Sequence, residues 1–195
     1  MKIKSRETRE KILDAAKHLF QKRSYDSVSM DMVAHKAGVS KGCLYIYFKS
    51  KSDLFTSIFE ENINHFEELI EKVVTLKASV ADKLRVLLER MELSFGDKRI
   101  IPFFPASKDF SPEVHKAIGR RILPRIQRIK KKIAEIFREG IREGEIKEYA
   151  EDELALIFLG MIFAFLQEKQ CISNMKSDFL ELLFHGIKKE TRGES

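Results

Sequence analysis

Apolar residues recur along most of this chain at the spacing of a helix. Ile12, Ala15, Ala16, Leu19 and Phe20 follow i, i+3, i+4, i+7 and i+8, one stripe of an amphipathic helix. After the polar stretch Lys22 to Ser27, a shorter stripe runs through Met30, Val33, Ala34 and Ala37. Ser29 precedes it as an N-cap, and Gly38 follows it where a positive φ ends a helix. Ser40 caps a third helix, Lys41 to about Phe48, with Leu44 and Phe48 on one face. Ser50 caps a fourth, which continues through Ile58 and Phe66 to about Val74. Asp53 stands where it reaches back in a capping box.

The remaining pattern is also helical. A helix is expected over 80–95, then an irregular apolar stretch at 100–105, then a short helix opened by Ser111-Pro112, since Pro suits a first turn. A long helix runs from about Ala117 to Glu143. Pro124 bends or breaks it early, and Gly144 ends it. Helices from about Asp152 to Lys169 and from Lys176 to Lys188 complete the chain. No segment alternates as a strand, so the expected fold is all-α.

The run Leu154 to Leu166 is apolar on every side. It is shorter than the roughly 18 residues of a membrane span, so it reads as a buried helix needing partners on both faces. One solution is the chain's own core on one face and a second subunit on the other, with Phe158, Ile162, Phe165, Leu180, Leu183 and Phe184 in the dimer interface. The other is a large monomeric core.

Charge is unevenly distributed. Residues 1–50 hold 11 lysines and arginines against five acids, a net of +6, while residues 51–195 hold 25 of each. A basic segment on a neutral body points to a polyanion, most often nucleic acid, or to a solvated basic face. Lys4, Arg6 and Arg9 fit either a basic arm or a solvated terminus. The N-terminus lacks the apolar stretch of a signal peptide, and Cys43 and Cys171 are too far apart for a metal or disulfide framework. The expected location is the cytoplasm, with no membrane association. There is no phosphate loop, metal-ligand spacing or nucleophile motif. Neither enzymatic activity, nor a metal, nor a cofactor is expected.

Two short helices joined by Gly38-Val39-Ser40 form a helix-turn-helix pattern. With Leu44 and Phe48 turned to the core, Lys41, Gly42, Cys43, Tyr45 and Tyr47 are free to meet a DNA groove. The stretch from Gly38 through Lys41-Gly42-Cys43-Leu44-Tyr45-Ile46-Tyr47-Phe48 to Lys51 and Leu54 resembles the signature of the TetR family of regulators. The likeness extends over about residues 8–55. Ser24 stands where the family usually has Gly, Cys43 where Thr, Ser or Ala is commoner, and Ile46 where Tyr is frequent.

The resemblance implies a dimeric, all-α repressor. A three-helix DNA-binding domain at 1–52 would precede a helical ligand-binding and dimerisation domain at 53–195. It places Ser29 on a phosphate, Ser40, Lys41, Gly42, Cys43 and Tyr45 toward the major groove, and Tyr47 and Lys51 on phosphates. For Lys51 the physics agrees, because a cation and a helix N-terminus both attract phosphate. The expected partners are a second copy of the chain, a pseudo-palindromic double-stranded operator and a small, largely apolar effector of unknown identity. Met91, Phe95, Phe103, Phe104, Phe110, Phe137 and Met161 are candidates to line the effector's cavity, or are plain core. The run Arg120 to Lys132 holds seven basic residues and no acid. It suits a phosphate-bearing effector such as an acyl-CoA, or a solvated helix face. A non-specific DNA binder without a ligand is the competing reading.

Overall fold

The computed structural model describes residues 2–95 and 110–167, together with Glu181, Leu183 and Gly186; the side chains at 2–4, 91–95, 163 and 165–167 are not described. Phe103, Phe104, Leu180 and Phe184 therefore lie outside the described residues, as do the side chains of Met91, Phe95 and Phe165. Among the described residues the chain is helical: α1 (Lys2–Lys22), α2 (Met30–Ala37), α3 (Lys41–Tyr47), α4 (Lys51–Val74), α5 (Val80–Phe95), α6 (Pro112–Arg121), α7 (Leu123–Glu143) and α8 (Glu151–Gln167).

Local chemistry accounts for these boundaries. Gly38 takes φ +66 after α2, a conformation that costs a side-chain-bearing residue, and the Val39 N–H then bonds the Ala34 carbonyl at 3.0 Å. Ser111 caps α6 and Pro112 fills its first turn. Pro124 has no N–H to give and crowds the carbonyl of Arg120, so the expected long helix is two, parted at Ile122. Ile122 stays in the αR region, and its N–H still reaches Ile118 O at 2.9 Å. The loop between α1 and α2 is relaxed despite Ser24: no described non-glycine residue has positive φ, and Ser27 Oγ donates to Ser24 O at 2.9 Å.

The chain forms two compact units. The first holds α1–α3, α4 to Asn64, α6, and α7 to Arg125; the second holds the rest of α4, α5, α7 from Ile126, and α8. In the first, α1 packs on α2 and α2 on α3. Ile12, Ala16, Val33, Leu44, Phe48, Leu54 and Ile58 are buried there. Phe55 is its aromatic hub, 4.8 Å from Phe20, 5.0 Å from Tyr25, 5.1 Å from Phe59 and 5.2 Å from Phe110 between ring centroids.

In the second unit α5 and α7 approach closely. A Cβ on Gly140 would run into Val80 Cγ2, so a side chain there would force α5 or Val80 to shift. The Val80 N–H bonds Glu145 Oε2 at 2.9 Å. Lys83, buried to 1% exposure, donates to Glu139 Oε2 at 2.5 Å. Leu154, Ala155, Phe158, Leu159 and Ile162 of α8 are buried. No described helix is long and apolar enough to cross a membrane.

Candidate nucleic-acid interface

The helix-turn-helix is built from caps. Ser29 Oγ accepts the Met32 N–H, and Ser40 Oγ accepts the Cys43 N–H, each at 3.1 Å. One of the four unpartnered N–H groups at each helix start is thereby satisfied locally. The same hydroxyls were expected to face DNA; both residues are exposed. At α4, Ser50 Oγ accepts the Asp53 N–H at 3.0 Å, while Asp53 Oδ2 accepts the N–H of Lys49, one residue before the cap, at 2.9 Å. The capping box thus also grips the residue that leaves α3 by way of Phe48.

Leu44 alone in α3 is fully buried. At about 100° per residue, two flanks and a ridge follow from that anchor. Lys41 and Tyr45 lie on one flank, and Cys43 and Tyr47 on the other. Gly42 and Ile46 share the outermost ridge, opposite Leu44. Burial agrees: Ile46 is 73% exposed and Tyr45 40%, while Cys43 and Tyr47 are half-buried. Open space surrounds the position a Gly42 Cβ would take. The residues expected from the sequence to meet DNA include both flanks and Gly42 but not Ile46. The signal was its place two residues after Leu44.

Several expected contact groups already have partners within the chain. The Lys41 ammonium pairs with Asp31 Oδ1 of α2 at 2.7 Å, and this hydrogen bond raises its pKa above the usual lysine value. Asp31 thus aims a cation on the exposed side of both helices. Tyr47 Oη donates to Ser5 Oγ of α1 at 3.4 Å. Lys51 Nζ donates to Tyr25 O at 3.0 Å and lies 4.3 Å from the centroid of the Tyr25 ring. An ammonium has three donors, so Lys51 holds the α1–α2 loop and keeps capacity for a further acceptor. Arg9 lies over the Phe48 ring at 5.3 Å, and Arg6 pairs with Glu10.

Arg121, Arg128, Lys130 and Lys132 of the basic run 120–132 form ion pairs. In the first unit Arg121 reaches Asp53 Oδ1 at 2.6 Å, Glu60 Oε2 at 2.5 Å and Ser57 Oγ at 3.0 Å. The bond to Glu60 raises its pKa most, burial opposes it, and Asp53 adds to the rise. In the second unit Lys132 pairs with Glu71 at 2.8 Å and Lys130 with Asp152 at 2.9 Å. A cleft of about 160 Å³ there is lined by Glu67, Ile70, Glu71, Arg128, Ile129 and Lys132, so its cations face carboxylates.

The effector candidates are placed separately. Phe110 is taken up by the ring cluster of the first unit, against Phe55, Tyr25 and His115. Phe137 is fully buried in the second unit, 6.4 Å from Phe158, and Met161 is half-buried. His115 is exposed, its Nδ1 3.1 Å from Ser111 O. Of the dimer candidates, Phe158 and Ile162 face this chain's own core at 0% and 2% exposure, and Leu183 is half-buried. The apolar face that α8 leaves open is Leu156 (62%) and Ile157 (56%), with Gly160 and Ala164 also exposed.

Residues 12–58, which span this constellation, match the family described as bacterial regulatory proteins, tetR family. The chain is 30% identical over 188 residues to the fatty acid metabolism regulator protein of Bacillus subtilis (strain 168), covering 90% of this chain and 93% of that protein. It is 43% identical to the HTH-type transcriptional regulator AcrR of Shigella flexneri over 68 residues, 35% of this chain and 32% of that one. Among solved structures, the transcriptional regulator FadR from Bacillus subtilis in complex with stearoyl-CoA superposes with a TM-score of 0.73 at 26% identity. That match covers 91% of this chain and 98% of the other.

Proposed function

The chain belongs to the TetR family of bacterial regulatory proteins and is a DNA-binding transcriptional regulator rather than an enzyme, and from that premise we propose a dimeric repressor released from its operator by a small, largely apolar effector. The observation that carries the reading is the capped α2–turn–α3 unit, whose outer side is open and carries Lys41, Gly42, Tyr45 and Ile46. Residues 1–52 read DNA. Ser29, Tyr47 and Lys51 meet phosphates at the margins, and Ser40, Lys41, Gly42, Cys43 and Tyr45 face the major groove. Residues 53–195 bind the effector and a second copy of the chain.

Dimerisation uses the open side of α8. Leu156 and Ile157 meet a second copy across a two-fold axis, with Phe158 and Ile162 behind them as support. Two copies then present two α3 helices to half-sites about 34–36 Å apart, or a multiple of that, on a pseudo-palindrome. The effector has a long acyl chain. Support for this comes from the name of the Bacillus subtilis relative and from stearoyl-CoA in the 26% identical structure. Met161 and Phe137 in the second unit meet its apolar part. Release requires the effector to bind the non-binding conformation better than the DNA-bound one.

The test is selection from a random oligonucleotide pool at two salt concentrations, followed by titration with long-chain acyl-CoA. Enrichment of a pseudo-palindrome, and loss of binding on adding acyl-CoA but not free CoA, are the expected results. Salt-sensitive binding without enrichment identifies a non-specific DNA binder and overturns the repressor reading.

A further inference from the structure

We propose that Ile46 is a specificity residue that packs against the 5-methyl group of a thymine in each operator half-site; this rests on the reading of α3 as the groove-entering helix. Three observations converge on it. Ile46 is 73% exposed, more than Leu156 or Ile157, and stands on a helix whose one fully buried side chain is directly opposite. Its ridge neighbour one turn back is Gly42, with nothing near its missing side chain, so the ridge carries one protruding group and can seat deeply. Polar groups border that ridge on both sides, the Lys41–Asp31 pair and Tyr45 on one and Tyr47 with its bond to Ser5 on the other.

That layout sorts DNA contacts by chemistry. Flanking cations and hydroxyls suit the phosphates that line a groove. The ridge suits the groove floor, where base edges are read. An isoleucine can neither donate nor accept, and against cytosine, adenine or guanine it would strip water from a polar edge and replace nothing. Thymine is the one base that shows an apolar group in the major groove. Ile46 thus favours thymine by contact and disfavours the alternatives by desolvation. A serine at this position would carry neither preference.

The experiment uses the full-length protein and the selected operator. Each thymine is replaced in turn by deoxyuridine, which deletes only the methyl, and affinity is measured for wild-type and Ile46→Ala at fixed salt. One thymine per half-site is expected to cost wild-type about fourfold on replacement, the worth of one buried methyl, and the same replacement should cost Ile46→Ala nothing. Ile46→Val, which keeps an apolar branch, should retain most of the sensitivity. Because Ile46 is exposed, unchanged thermal unfolding of both variants confirms that the fold is intact. Equal sensitivity in wild-type and Ile46→Ala, or no sensitive thymine, overturns the inference while leaving the operator in hand. Failure to enrich any operator overturns the underlying reading and the inference together.

Discussion

Helices α3 and α8 both expose large apolar side chains, yet they are held in opposite ways. The seven residues of α3 contribute one fully buried side chain. Its position depends on polar contacts at its ends: Ser40 at the start, and the Lys49 N–H held by Asp53 just after. Helix α8 is 17 residues long and buries Leu154, Ala155, Phe158, Leu159 and Ile162, each large one contributing about 1.5–3 kcal/mol. An exposed isoleucine means something different in each setting. Beside Lys41 and Tyr45, Ile46 would, on the proposed reading, face a surface rich in anions with an occasional methyl. Beside Leu156, Ile157 belongs to a contiguous apolar strip that water covers poorly.

The sharpest way to break this contrast is to place a carboxylate in each setting. Leu156→Glu combined with Ile157→Glu should convert the dimer to monomers in analytical ultracentrifugation and weaken operator binding by about 100-fold or more, because a buried carboxylate pair is costly and a lone half-site binds poorly. Ile46→Glu should abolish operator binding with the dimer intact. The reverse assignment of losses would refute the division of labour. The next effect in size tests how α3 is held. Arg121→Ala leaves Asp53 and Glu60 without their shared guanidinium and should cost about 2 kcal/mol in urea unfolding. Arg121→Lys should recover only part, since one ammonium cannot reproduce a planar fork.

The smallest effect belongs to α8, whose apolar face makes its polar contacts dispensable. The hydrogen bond from Lys130 holds the Asp152 carboxyl below its ordinary pKa. A depressed carboxyl contributes stability above the ordinary carboxylate range and loses it as pH falls through the folded value. Lys130→Ala should return Asp152 toward the ordinary value in a carboxyl NMR titration. Thermal stability at neutral pH should match wild-type within error.

Features set by neighbours in sequence were legible without coordinates. The caps at Ser29, Ser40 and Ser111, the turn at Gly38, the break at Pro124 and the span of α5 each follow from residues within a few positions of the event. Features set by distant partners were not. A helix apolar on all sides does not say which side faces inward, so Phe158 and Ile162 could not be told from Leu156 and Ile157. The second role of Lys51, holding the α1–α2 loop, was hidden because nothing near it in sequence shows that Tyr25 O lies 3.0 Å away. The seven-cation run read either as an anion site or as a solvated helix face, because the acids that hold Arg121, Arg128 and Lys132 lie some 60 residues earlier, on α4. Asp53, Glu60, Glu67 and Glu71 share the helical spacing of Arg121, Arg128 and Lys132, a match that aligning the two stripes would have shown.

Lys83 brings a different kind of chemistry into the second unit. It is a primary amine sealed at 1% exposure against Glu139, out of reach of any acylating agent in water while the body stays closed. Lysines on the surface would accumulate such adducts continually; Lys83 would do so only during a local opening. Once acylated it would lose its charge and gain bulk, leaving Glu139 without its cation and the core overfilled. Acylation at Lys83 would therefore register local opening of the second unit.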